Sequence, residues 1–253
     1  MKRNSLLTKV SFAMTALLSF AAAPFVAALD GAEGKEYDTF DTGRGELKIT
    51  FLGHATLVLE FGGSLIYIDP VKQYGDFTKF PKANLILVTH EHGDHLDASS
   101  IAALKIDGTR IILNESSRKK LGSGDALEYG KTIDAAGISV LAVPAYNVTA
   151  GRSNNHPKER KDNGYILTVG SLRIYVAGDT EPIPEMEGFG RIDIAFLPMN
   201  LPYTMTPEQV AAAARTLRPG ILYPYHFGTT DTSLLGTVLN NEQGIEVRLR
   251  KMQ

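Results

Sequence analysis

Thr89-His90-Glu91-His92-Gly93-Asp94-His95 follows directly on the apolar run Leu85-Ile86-Leu87-Val88. A short continuous apolar run bounded by polar residues reads as a buried strand, which makes the motif the loop just beyond a strand end. Alternate side chains of an extended chain share a face, so His90 and His92 can point the same way; Asp94 and His95, one turn on, reach a neighbouring position. Three imidazoles and a carboxylate within six residues are donors suited to zinc or a similar divalent ion. The competing reading is a polar loop that is merely rich in histidine; the spacing favours a metal site.

Working outward, strand signals are closely spaced upstream of the motif: Leu47–Phe51, Ala55–Phe61 and Leu65–Ile68, with Gly62-Gly63 as a hairpin turn and Asp69-Pro70 as a stop. Downstream, a helix is expected from Asp97, its N-cap, to Leu104, then a strand at Arg110–Leu113 and a short helix at Ser116–Leu121 ended by Gly122. Leu127–Lys131 and Ile138–Val143 read as further strands. A polar loop follows over 147–163. Tyr165–Val169 and Leu172–Ala177 form a hairpin over Gly170-Ser171, and Ile192–Phe196 is another buried strand. Thr206-Pro207-Glu208-Gln209 carries an N-cap Thr, Pro at the first helical position and Gln three residues on. That helix runs to Leu217 and stops at Pro219-Gly220, before strands at Ile221–Tyr225 and Ile245–Leu249. Two similar halves without an internal linker predict one domain over residues 46–253, with packed sheets and helices outside.

Residues 1–28 read as an export signal: Lys2, Arg3 and Lys9 precede the apolar stretch Val10–Ala23, and Val26-Ala27-Ala28 offers small residues for cleavage after Ala28, with Ala23 as the alternative. An uncleaved anchor is the competing reading; the apolar core is short for a span. Residues 29–45, rich in Gly, Asp and Glu, read as a flexible lead-in. Removing Lys2, Arg3 and Lys9 from the 26 basic residues leaves 23 against 28 acidic, a net charge of −5 with His neutral. That balance gives no support for nucleic-acid binding. With no cysteine, thiolate ligands, a catalytic thiol and a lipoprotein anchor are excluded. The expectation is an exported protein, periplasmic or secreted, without stable membrane insertion after cleavage.

The remaining histidines are His54, His156 and His226. His226 ends the Ile221–Tyr225 strand, and Asp179 follows another in Ala177-Gly178-Asp179-Thr180. Strand ends on one edge of a rigid scaffold are where ligands gather. Beside a histidine-rich site, Asp179 is better read as a carboxylate bridging two metals than as a turn residue.

Taken together, the motif at 89–95, Ala-Gly-Asp-Thr at 177–180 and the strand ending at His226 resemble the metallo-β-lactamase superfamily over about residues 46–230. Gly53-His54-Ala55, Ile68-Asp69-Pro70, Leu197-Pro198 and Tyr203-Thr204-Met205 are most similar to its branch of ascorbate-6-phosphate lactonase-like zinc-dependent hydrolases. The resemblance implies an α/β (α+β) fold, a four-layer αββα sandwich with metals at one edge between the sheets. It implies His90 and His92 on a first metal, Asp94, His95 and His226 on a second, and Asp179 shared. Relatives commonly place a histidine after the strand corresponding to Ile138–Val143, where this chain reads Pro144-Ala145-Tyr146-Asn147. His156, folding back from the polar loop, is the candidate for that third ligand; the alternative is an exposed loop histidine. His54 lines or supports the site, or is a buried hydrogen-bonded histidine. Asp69 caps a turn or orients a ligand from behind.

The function this implies is hydrolysis of a small ester, lactone, amide or phosphoester by hydroxide held between two Zn2+ ions, with Mn2+ or Fe2+ as alternatives. Asp94 is a candidate catalytic residue that orients the nucleophile and takes up a proton, with His54 beside it. No serine or cysteine nucleophile has a supporting context. Arg152, Lys158, Arg160 and Lys161 surround His156 and would suit an anionic small-molecule substrate; otherwise they belong to a solvated loop. Tyr146, Tyr203 and Tyr225 are candidate pocket walls. The competing functions are a mononuclear iron dioxygenase-like redox enzyme on the same fold and a metal-binding protein without turnover. The fold alone does not fix the substrate, and lack of Cys excludes the ligand set of the commonest zinc β-lactamases.

Overall fold

Antiparallel pairing comes first and parallel pairing after it, twice over, in the computed structural model, which describes Leu29 and residues 31–252. The first sheet has seven strands in chain order: β1 (Tyr37–Asp41), β2 (Glu46–Gly53), β3 (Thr56–Phe61), β4 (Ser64–Ile68), β5 (Leu85–Leu87), β6 (Arg110–Leu113) and β7 (Asp125–Ala126). Strands β1 to β4 pair antiparallel and β4 to β7 parallel. The second sheet repeats this with β8 (Thr132–Ala135), β9 (Ile138–Ala145), β10 (Asp162–Val169), β11 (Leu172–Val176), β12 (Ile194–Pro198), β13 (Ile221–Tyr225) and β14 (Glu246–Val247). Here β8 to β11 are antiparallel and β11 to β14 parallel.

Parallel neighbours need crossovers, and α-helices supply four of the six. In the first half α1 (Ala98–Leu104) joins β5 to β6 and α2 (Glu115–Leu121) joins β6 to β7; in the second, α3 (Pro207–Leu217) and α4 (Leu234–Val238) join β12 to β13 and β13 to β14. Asp97 caps α1 by accepting from the Ser99 amide, and Thr206 and Gln209 form the expected capping box on α3. Gly122 ends α2 in the left-handed conformation, φ 76°.

The sheets pack face to face. Leu47, Ile49, Phe51, Leu57 and Leu59 meet Val140, Tyr165, Leu167, Val176 and Phe196 in one core. Val58, Tyr67, Ile86 and Val88 point the other way, onto Ile101 and Leu104 of α1. Burial on both faces explains why β5 reads as an unbroken apolar run and β3 as a nearly apolar one, broken by Thr56 and Glu60. The result is the expected αββα sandwich.

Four expectations are corrected. The segment 29–45 is not wholly a flexible lead-in, because Tyr37–Asp41 forms β1 on the sheet edge. Its polar composition hid this: Asp38 is held by Arg250, at 2.6 Å, and by the Tyr223 hydroxyl. Leu127–Lys131 is a turn between β7 and β8. The loop from 147 ends at Asp162, where β10 begins, and the last strand shortens to Glu246–Val247. The segment read as an export signal lies outside the described residues. Among the described residues, no helix is long and apolar enough to cross a membrane.

Candidate metal centre

The carboxyl ends of parallel strands in one sheet emerge on the same edge. Asp69 follows β4, the His90–His95 loop follows β5, Asp179 follows β11, and His226 follows β13. The β2–β3 turn carrying His54 and the connection from β9 to β10 carrying His156 open on the same edges, because Leu57 pairs with Ile68 and Tyr165 with Val176. Below the site the two sheets are stitched together: the Tyr165 hydroxyl donates to the Val88 carbonyl at 2.7 Å and the Asn163 amide to the Thr89 carbonyl at 2.9 Å.

These strand ends bring all six histidines together. Donor atoms of His90, His92 and His156 lie within 4.8 Å of one another, and so do those of His54, Asp94, His95 and His226. Asp179 stands between the sets. Its Oδ2 is 3.3 Å from His156 Nε2, 3.9 Å from His90 Nε2 and 3.2 Å from His226 Nε2, and its Oδ1 is 3.4 Å from His95 Nε2. His90, His95, His156, Asp179 and His226 are buried. His156 therefore does fold back, which the loop's composition left open.

Hydrogen bonds behind the cluster aim the rings. Asp69, fully buried, accepts from the Thr89 amide at 2.8 Å, the Thr89 hydroxyl at 2.7 Å and His95 Nδ1 at 2.7 Å. A carboxylate only accepts, so His95 carries its proton on Nδ1 and turns a lone pair on Nε2 into the cluster. With its hydrogen committed to Asp69, the Thr89 hydroxyl accepts from His90 Nδ1 at 3.0 Å, which frees His90 Nε2 in the same way. His54 Nε2 meets Asp94 Oδ2 at 3.1 Å. Its own backbone is gripped on both sides, its amide donating to the Met252 carbonyl and its carbonyl accepting from the His226 amide. His54, Asp69 and His226 all hold positive φ, at 52°, 44° and 46°, the sparsely populated backbone that gathers at functional sites.

Several polar atoms at the centre have no hydrogen-bond partner although they are buried: His95 Nε2, Asp179 Oδ1 and His226 Nε2. Buried donors and acceptors are normally satisfied. Orphans converging from three strand ends, with His95 Nδ1 already tied to Asp69, fit a divalent metal. One group opposes it in the first set. Arg160 reaches His92 Nε2 at 2.9 Å and His156 Nδ1 at 3.1 Å, and guanidinium only donates. Loading a metal on the opposite ring nitrogens requires Arg160 to turn onto Asp162, which already accepts from it through both Nε and Nη2.

Charge differs between the sets. Burial, reinforced by the neighbouring His95, pushes His90 well below the usual histidine range, and burial with Arg160 lowers His92. Burial opposes protonation of His95 and His226 too, but there Asp179 outweighs it: His95 is raised well above its ordinary value and His226 to about 9. Burial likewise works against the Asp94 anion, yet hydrogen bonds from His226 and His54 hold its carboxyl below the usual range. The pairing of His226 stabilises the metal-free fold fully below the ordinary value of 6.5 and is lost as pH rises through about 9. Metal binding must displace those protons. Thermal melts of metal-free protein should therefore show falling stability across that window, while chelator-competition titrations show metal affinity rising. Affinity independent of pH there would contradict this balance.

A pocket of about 360 Å³ opens over both sets, lined by Asn154, Asn155, Arg160, Asn200 and Tyr203 as well as the ligand candidates. Arg160 alone of the four loop cations lines it. Arg152 pairs with Glu181, Lys158 with Glu185, and Lys161 faces a larger cleft of about 850 Å³ that holds none of the histidines. Of the three tyrosines only Tyr203 is a wall. Tyr146 bonds Glu185, and Tyr225 accepts from the Gly178 amide at 2.8 Å, steadying the turn into Asp179. Gly178 itself sits at φ 65° with space for a Cβ closed by the Asn163 carbonyl at 2.8 Å, which is why Gly precedes the carboxylate. Sequence reading missed Asn154, Asn155 and Asn200. Asn200 follows β12 as the ligands follow their strands, so the same signal was available for it.

Comparison with known proteins gives the family. The β-lactamase superfamily domain model matches residues 48–226, and the chain belongs to that family. A UPF0173 metal-dependent hydrolase of Pyrococcus horikoshii is 35% identical over 72% of this chain and 85% of its own. A provisionally named metal-dependent hydrolase of Parabacteroides distasonis, known from a crystal structure, is 52% identical with TM-score 0.84, covering 87% of this chain and all of that one. The metallo hydrolase Igni18 of Ignicoccus hospitalis, at 23% identity and TM-score 0.67 over 81% of this chain and 95% of its own, shares the fold.

Proposed function

We propose that this chain, a metal-dependent hydrolase of the β-lactamase superfamily, works with two divalent ions on a small ester, lactone, amide or phosphoester. The observation that supports this most is the position of Asp179, within 3.3 Å of His156 Nε2 on one side and 3.2 Å of His226 Nε2 on the other. On this reading His90, His92 and His156 hold one ion, Asp94, His95 and His226 the other, and Asp179 both. Imidazole and carboxylate donors without thiolate suit zinc, and also Mn2+ or Fe2+. When bound, such ions polarise the scissile group and lower the pKa of water at the site.

The chain's own residues do the rest. Asp94 lines the pocket with its side chain 46% exposed, and His54 fixes one of its oxygens, so a proton-accepting carboxylate is held at the floor. Asn154, Asn155, Asn200 and Arg160 offer hydrogen bonds to a polar or anionic substituent, and a volume of about 360 Å³ suits a small molecule. The test is a hydrolysis screen of zinc-loaded protein over lactones, β-lactams and phosphodiesters, beside His92→Ala. One substrate class should be turned over and lost in the variant. Turnover that survives the substitution, or none with any class, would count against catalysis by this centre, the latter favouring a metal-binding protein without turnover.

A further inference from the structure

His156 reaches the centre from a stretch with almost nothing apolar to anchor it; Val148, beside its base, is 51% exposed. The base of this loop is held by a buried carboxylate two residues after Asp179. Glu181, with no exposed surface, accepts from the Val148 amide at 2.8 Å and the Thr149 amide at 2.6 Å through Oε2, and its Oε1 pairs with Arg152 at 2.7 Å. Arg152 in turn donates to the Thr204 carbonyl and to Gln209. The Glu181 amide and Thr180 hydroxyl both bond the Tyr146 carbonyl, and the Asn147 amide closes the loop on the His156 carbonyl at 2.9 Å.

Burying a carboxylate costs several kcal/mol unless it is well paired. Here the pairing is spent on one thing, tying the base of the His156 loop to the strand end that delivers Asp179. We propose that Glu181 is the positioning residue of the first metal set, making His156 and the shared carboxylate arrive together. Glu181 touches no ligand nitrogen itself. Its charge replaces the apolar packing by which a strand-borne histidine would be held.

This rests on the two-metal reading above, and metal stoichiometry tests both. After dialysis against a buffered free-zinc concentration that saturates wild type, wild type should retain two ions per chain. Glu181→Ala and His156→Ala should each retain one, and the double variant should lose nothing more, since both remove the same set. Glu181→Gln keeps an acceptor for the two amides but not the charge for Arg152; it should bind its weaker ion about 10- to 100-fold less tightly and leave the other unchanged. Should Glu181→Ala not fold, Glu181→Gln carries the test. Two ions at wild-type affinity in either Glu181 variant overturn the role of Glu181. A wild type holding at most one ion, or a His156→Ala protein keeping both, overturns the reading beneath it, and shows this before Glu181 is altered.

Discussion

Replacing Asp179 with asparagine should cost more than losing any single histidine. Asparagine keeps the shape but gives neither set a charge, so both ions lose the group between them, whereas His92→Ala weakens one set. Breaking a buried charge pair costs about 3–5 kcal/mol, and each ~1.4 kcal/mol is a factor of ten in rate. The expected loss in kcat/KM is therefore roughly 10²- to 10⁴-fold, with metal content falling at both sites. In metal-free protein the same substitution removes the counter-charge that raises His95 and His226. Its stability near neutral pH should drop as well. Steady-state kinetics on the best substrate of the screen, with metal analysis of the same preparation, gives the comparison; equal losses in Asp179→Asn and His92→Ala would remove Asp179 from its shared position.

Asp69→Ala should give the largest loss of stability. It strands three buried donors at once: the Thr89 amide, the Thr89 hydroxyl and His95 Nδ1. An orphaned buried donor costs about 1–3 kcal/mol, so the sum is several kcal/mol, which for a domain of this size is roughly 10 °C in melting temperature. Metal affinity should fall by about 10- to 100-fold as well, because His95 loses the bond that selects its tautomer and the Thr89 hydroxyl that faces His90 loses the acceptor that fixes its hydrogen. Thermal melts with and without zinc separate the two effects. A variant that melts within a degree or two of wild type would show that Asp69 only caps a turn.

Much of this was legible in the sequence because the chemistry sits where the pattern is strongest. Largely apolar runs announced β3 to β5 and β10 to β13, and those of β4, β5, β11 and β13 run into Asp69, His90, Asp179 and His226 at the centre. Asp69-Pro70 reads by itself only as a strand stop; the choice for Asp69 between orienting a ligand and capping a turn comes only with the resemblance, and the hydrogen bond to His95 decides for the former. What was not readable depends on contacts distant in sequence. Strand β1 is held through Asp38 by Arg250 and Tyr223, a link no local window contains. The path of residues 147–161 is fixed by Glu181 and by Asn147, whose side chain bonds the Tyr203 carbonyl at 2.7 Å, not by any apolar periodicity. The position of His156 is for that reason a product of the tertiary fold. The four loop cations illustrate the same limit, since composition grouped them and the structure gives only Arg160 to the pocket.

On this reading one carboxylate, Asp179, joins two metal sets, each drawing residues from both halves of the sandwich. The most direct test is anomalous diffraction from zinc-soaked crystals, collected above and below the zinc and iron absorption edges. Two peaks are expected at the zinc edge, one among His90, His92 and His156 and one among Asp94, His95 and His226, with Asp179 contacting both. A single peak, or two peaks with Asp179 contacting only one, would contradict this reading.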